Sequence, residues 1–172
     1  ACEVTIVDIM PHVLFGAFDP EMAQLVHDAL RESEVKLRFG EGIKEFQGEG
    51  GKVTKVVTDK GEIETDAVLV SVGAAPNVGL AKDCGLELGE TGAIKVDDHM
   101  RASDPDIFAG GDCVEDTHLA TGKKVWIPLG STANLHDRVI GNNLTGLDDS
   151  FPGVLGTGIM KTLGVNAGAT GV

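Results

Sequence analysis

Residues Ile107–Glu115 read IFAGGDCVE: a short apolar run, two glycines, then an acid. Glycine removes the side chain where a backbone must come close to something else. An acid at the carboxyl end of a buried strand stands where open α/β sheets place their ligands. A carboxylate there can accept hydrogen bonds from sugar-like hydroxyls. The competing reading of the same residues is a plain Gly-Gly-Asp surface turn. Cys113 follows the acid and invites a redox role. A reactive thiol, however, wants nearby positive charge or a helix N-terminus, and the neighbours here are Asp112, Glu115 and Asp116. Cys113 therefore reads as a structural thiol.

Upstream of this stretch the pattern is α/β. Glu3 to Ile9 is β-branched and alternating, and reads as a strand. FDPEMAQLVHDALRES reads as a helix, with Asp19 as N-cap, Pro20 at the first helical position, and Met22, Ala23, Val26 and Leu30 on one apolar face. EVKLRFG is a second strand. Strand, helix, strand is the unit that builds a parallel sheet. From Gly42 to Gly73, short alternating strands are broken at Gly48-Glu49-Gly50-Gly51 and Asp59-Lys60-Gly61, the mark of a β-meander. Its last segment, DAVLVSVG, is almost continuously apolar and predicts a buried strand returning to the parallel sheet.

The second half is richer in turns. Short strands are expected at Ile94 to Val96 and Ile107 to Ala109, and a short helical segment near Ala81 to Cys84. PLGSTANLHDRVIGNNLTG reads as a helix, with Leu135, Val139, Ile140 and Leu144 on one side and Gly146 closing it. Val154 to Val172 holds two β-rich pieces around Gly164 and reads as the opening hairpin of a further domain. The sequence starts at Ala1-Cys2 without a Met and runs straight into a strand, so both ends read as cut.

Composition narrows the function classes. Net charge is −13, from 14 Lys plus Arg against 27 Asp plus Glu. Nucleic acid and anionic membrane both need clustered positive charge, so neither is an expected partner. No apolar run approaches a membrane span, and no signal peptide is visible. Cys2, Cys84 and Cys113 form neither a CxxC nor a paired framework, which fits a reducing, cytoplasmic setting. The five histidines show no ligand spacing, so no metal site is expected. There is no GxGxxG, no P-loop and no GxSxG. Asp8, ending the first strand, fits the acid that binds ribose hydroxyls in a dinucleotide unit, or a surface acid at a strand end. Trp126 reads as a packing residue.

Four segments carry a resemblance. VTIVDIMPHVL with FDPEMA is similar to the second strand and following helix of the NAD domain in the pyridine nucleotide-disulfide oxidoreductases. DAVLVSVGAAPN is similar to that domain's return strand, and IFAGGDC resembles the family's second flavin motif. FPGVLGTGIMK resembles the opening of the dimerisation domain in the branch holding coenzyme A disulfide reductases and NADH oxidases. The matches run in the family's order over nearly the whole chain. The family's flavin-binding first half, with its redox cysteine, has no counterpart here. Many relatives also carry Arg before the proline of Ala74-Ala75-Pro76-Asn77.

The resemblance implies an α/β fold: a partial Rossmann-like three-layer sheet with a β-meander crossover, plus the start of a dimerisation domain. Residues 1–78 would be a truncated NAD-binding domain, 79–150 the returning part of the FAD domain, and 151–172 the dimerisation start. It implies FAD held by Gly111 and Asp112, with Leu129, Gly130 and Ala133 near the isoalloxazine. It implies NAD(H) contacted by Asp8 and Gly73. The implied activity is hydride transfer from NADH through FAD to a disulfide, peroxide or oxygen, with this chain alone inactive and holding no catalytic residue. Small-molecule cofactors and the acceptor are the expected partners. A homo-oligomer, such as a homodimer, or further residues would cover the open sheet edge. The alternatives are a ferredoxin or rubredoxin reductase-type flavoprotein and a non-catalytic interaction module.

Overall fold

A computed structural model describes residues 2–171. In chain order its first elements are β1 (Thr5–Asp8), α1 (Pro20–Glu32), β2 (Lys36–Phe39), β3 (Ile43–Glu49), β4 (Lys52–Thr58) and β5 (Gly61–Glu64). There follow α2 (Gly79–Asp83), a 3-10 turn at Gly111–Cys113, β6 (Asp116–Thr117), β7 (Lys124–Val125), α3 (Gly130–Leu144), β8 (Gly158–Thr162) and β9 (Val165–Ala169). The chain divides into two units, one running to Gly73 and including Gly158–Ala169, the other spanning Ala74–Thr157.

In the first unit β1 and β2 pair in parallel, Thr5 against Lys36 through Asp8 against Phe39, so Asp8 sits at the carboxyl end of the pair. The helix between them is set by Pro20 at its first turn, where a missing N–H costs nothing. Asp19 precedes it in extended conformation but makes no side-chain cap bond. The buried stripe is Ala23, Val26 and Leu30, whereas Met22 is exposed. Helical spacing alone admits both residues, since Met22 stands four and Ala23 three positions before Val26; the packing buries Ala23. Val26, Leu30 and Ala167 form a core with Ile6, Leu37 and Val165, so the β8–β9 hairpin packs on this helix. The β3–β4–β5 meander is antiparallel. Gly50 and Gly51 both have positive φ, +59° and +78°, the requirement of a tight turn between twisted strands.

The apolar run 66–73 departs from expectation. It forms no strand, and Leu69, Val70 and Val72 are 93%, 60% and 81% exposed. A strand needs a ladder partner for its N–H and C=O groups, and none pairs with it among the described residues.

The second unit buries Ala81, Ile94, Met100, Val114 and Val139, with Phe108, Ile140 and Phe151 packed against them. The expected strands at 94–96 and 107–109 reduce to single bridges, Ile94 with Leu88 and Val114, and Phe108 with Arg101. In α3 the buried residues are Thr132, His136 and Val139, while Leu135 and Leu144 are exposed. The expected face is therefore split: Val139 is buried and Ile140 packs against the core, whereas Leu135 and Leu144 turn to solvent. Gly146, with φ +87°, follows the helix end as expected. Among the described residues no helix is long and apolar enough to cross a membrane.

One histidine makes the first unit pH-sensitive. His27 Nε2 accepts the Val13 N–H at 3.1 Å, and its ring stacks on Phe39 at 4.9 Å. Burial, then Arg31 and His12, lower its pKa from 6.5, against an opposing pull from Asp28. The folded state thus takes up its proton less readily than the unfolded chain. The stabilisation is full above pH 6.5 and is lost as pH falls through 6.5 towards the lower folded value. The expected result is that the stability advantage of wild type over His27→Asn shrinks on acidification below 6.5. Denaturant midpoints across the pH series check it, and an advantage that grows would contradict it.

Candidate flavin-loop site

The Gly110-Gly111-Asp112 loop lies flat on α3. Gly110 is extended, φ −155°. A Cβ at Gly110 would come within 2.9 Å of both His136 Cβ and Ile140 Cδ1. Glycine is required there by space. Gly111 is required by conformation, with φ +78°, and a Cβ on it would touch Ala133 Cβ at 3.5 Å. The Gly111 N–H donates to His136 Nδ1 at 3.0 Å. The Trp126 indole N–H donates to the Asp112 carbonyl at 2.7 Å. These two bonds pin the loop from both sides and leave Asp112 exposed.

The loop meets the start of α3. Leu129 is the N-cap residue, extended at φ −130° and ψ 130°, and no side chain caps the helix. The first intrahelical bond runs from the Ala133 N–H to the Leu129 carbonyl at 3.0 Å. Unsatisfied N–H groups of the first turn carry the positive end of the helix dipole and favour anionic groups.

Beside the loop sit two buried acids and a thiol. Glu115 is buried and accepts the Thr91 N–H at 2.7 Å and the Thr91 hydroxyl at 2.9 Å. Buried Asp116 places Oδ1 3.2 Å from His136 Nε2, an ion-pair distance without hydrogen-bond alignment. Cys113 is half-buried and bonds the Gly110 carbonyl at 3.4 Å. Burial pushes its thiol pKa up, outweighing a backbone hydrogen bond that lowers it, and the Asp112 charge adds a smaller push upward. That favours the protonated thiol, as the neighbouring acids suggest.

The structure thus brings Gly111, Asp112, Leu129, Gly130 and Ala133 together in one unit. Asp8 and Gly73 belong to the other. Asp8 is exposed, and its Oδ1 accepts the Met10 N–H at 2.9 Å. Gly73 has φ +98° and an open surround, and no hydrogen bond joins the two. Trp126 and His136 are the residues that sequence reasoning missed. They lie 14 and 25 positions from their partners, too far for any local motif. Away from the loop, His99 is held by Asp148 at 2.9 Å and Asp98 at 2.8 Å. These bonds, Asp148's first, raise its pKa.

A family model described as pyridine nucleotide-disulphide oxidoreductase matches residues 1–134. An NAD(P)H sulfur oxidoreductase (CoA-dependent) of Pyrococcus furiosus is 41% identical over 169 residues, 98% of this chain and 38% of that protein. An NADH oxidase of Methanocaldococcus jannaschii is 34% identical over 170 residues, 99% of this chain and 38% of its own length. The solved structure of an NAD-dependent persulfide reductase from A. fulgidus superposes with a TM-score of 0.95 at 44% identity, covering 99% of this chain and 31% of that one. The chain spans 38% of the length of these curated relatives.

Proposed function

The chain belongs to the pyridine nucleotide-disulphide oxidoreductase family, and from that premise we propose that it supplies parts of two cofactor sites in an NADH-dependent flavoprotein. One observation carries the reading: a glycine loop packed against the N-terminal half of α3, at Ala133 and His136, with Asp112 left exposed. The residues fit FAD. Gly110 and Gly111 clear the backbone, Asp112 offers a carboxylate to hydroxyl groups, and the uncapped start of α3 offers N–H groups. Leu129, Gly130 and Ala133 would lie along the ring system through their backbone. FAD, when bound, supplies the capacity to accept hydride and pass electrons on.

Asp8 would hold the ribose hydroxyls of NADH and disfavour a phosphate there by charge. Gly73 would let the backbone pass close to the nicotinamide nucleotide. Residues 1–78 then act as NAD-binding, 79–150 as part of the FAD domain, and 151–172 as the start of a dimerisation domain in a cytoplasmic homodimer. The acceptor is a disulfide, peroxide or oxygen. Greater likeness to the sulfur oxidoreductase than to the oxidase favours a sulfur acceptor. Cys113 takes no redox role, because its surroundings hold it as a thiol.

The test is flavin content. The purified full-length protein is expected to carry FAD by visible absorbance, and Asp112→Ala to lose most of it. Asp8→Ala should keep the flavin and raise the KM for NADH. Wild type without FAD, or Asp112→Ala with a full complement, would overturn the reading.

A further inference from the structure

His136 is an unusual side chain to find under a backbone loop. It is 0% exposed, in the middle of α3, and its two ring nitrogens face different groups. Nδ1 takes the Gly111 N–H at 3.0 Å, while Nε2 stands 3.2 Å from Oδ1 of Asp116, itself 5% exposed. Phe151 closes the site edge-on, with ring centroids 4.4 Å apart. A nitrogen that accepts an N–H must carry a lone pair, so the imidazole proton sits on Nε2. A carboxylate 3.2 Å from Nε2 favours that tautomer through its charge, without an aligned hydrogen bond.

We propose that the Asp116–His136 pair is a positioning device for the flavin loop: Asp116 selects the tautomer, and His136 Nδ1 clamps the Gly111 N–H so that Asp112 faces outward. This deepens the FAD reading and rests on it. The geometry gives His136 a distinct job. Gly111 is in the left-handed region, where its N–H direction differs from that of an extended residue, and among the described residues no backbone carbonyl takes that N–H. An unclamped glycine samples both signs of φ, and each swing would turn Asp112 with it. Trp126 fixes the far side of the same acid through the Asp112 carbonyl. His136 does not touch the cofactor in this scheme; it acts through Gly111.

Two predictions separate positioning from mere packing. In wild type, a ¹⁵N–¹⁵N coupling across the hydrogen bond should link the Gly111 amide nitrogen to His136 Nδ1, and the ring shifts should report the Nε2–H tautomer. His136→Leu fills the space but offers no acceptor, and is expected to weaken FAD binding by the full-length protein about tenfold. His136→Asn sets an amide oxygen near the Nδ1 position and should recover most of the affinity, although both variants lose the ring. Absence of the coupling would overturn the inference, as would an Asn variant no better than Leu, or a folded Leu variant that binds FAD like wild type. If the Leu variant does not fold, the wild-type coupling and the affinity of the Asn variant decide. Wild type that binds no FAD sinks the functional reading and this one together, whereas tight binding untouched by His136→Leu sinks only this one.

Discussion

Arg38→Ala is expected to cost the first unit about 3–5 kcal/mol, the range for removing one partner of a buried ion pair, and to cost more than Glu41→Ala. Arg38 grips Glu41 with two groups, Nε to Oε2 at 2.7 Å and the terminal nitrogen to Oε1 at 2.6 Å. The Thr58 hydroxyl also donates to Oε1. The two partners are unequally placed. The Glu41 side chain is 4% exposed, that of Arg38 29%. Losing Glu41 leaves a guanidinium that can turn to water. Losing Arg38 leaves a carboxylate in the interior with one hydroxyl for company, and an unpaired buried charge is the costlier error. The Glu41 N–H also bonds the Asp8 carbonyl at 2.9 Å, so the strand end that bears the proposed ribose acid is tied to this network. Denaturant titration of the two variants checks the order. Glu41→Ala as damaging as Arg38→Ala, or more so, would show that the buried carboxylate is not what sets the cost.

Much of the first unit was legible because its signals are local. Pro20 and the Ala23–Val26–Leu30 spacing mark α1, and paired positive-φ glycines mark the β3–β4 turn. The departures share a cause: apolar character alone does not decide burial. Leu69, Val72, Leu135 and Leu144 are all strongly exposed, because burial depends on what packs opposite. Conversely α3 buries Thr132 and His136, polar residues that a hydrophobic stripe would never select. Gly110, Gly111 and Asp112 stood out because glycine pairs are informative by themselves. The groups that fix them did not, since His136 and Trp126 acquire their roles only when α3 and the β7 region fold back on the loop. The match over residues 1–134 supports the family resemblance drawn from these segments.

Gly110→Ala should disturb both the fold and the proposed flavin site, whereas Gly141→Ala, about one and a half turns further along α3 than His136, should be benign or helpful. Gly110 has ordinary extended φ, so alanine brings no backbone strain there. Its added Cβ would instead press on His136 Cβ and Ile140 Cδ1, each 2.9 Å away. Ile140 Cδ1 is the free end of a side chain and can swing aside. His136 Cβ is fixed to the helix, so the loop itself must lift. Overpacking of this kind costs about 1–3 kcal/mol, and a lifted loop stretches the Gly111–His136 bond and moves Asp112. Gly141 is exposed, helical and clear of every neighbour within 4 Å. Alanine there should add roughly 0.5–1 kcal/mol through helix propensity and a less free unfolded chain. Thermal unfolding and FAD content of the two variants check the pair. The expected signs are opposite in stability, and only Gly110→Ala should shed flavin. A Gly110→Ala protein with wild-type stability and full flavin would mean that the loop does not rest on α3 as tightly as the 2.9 Å approach requires.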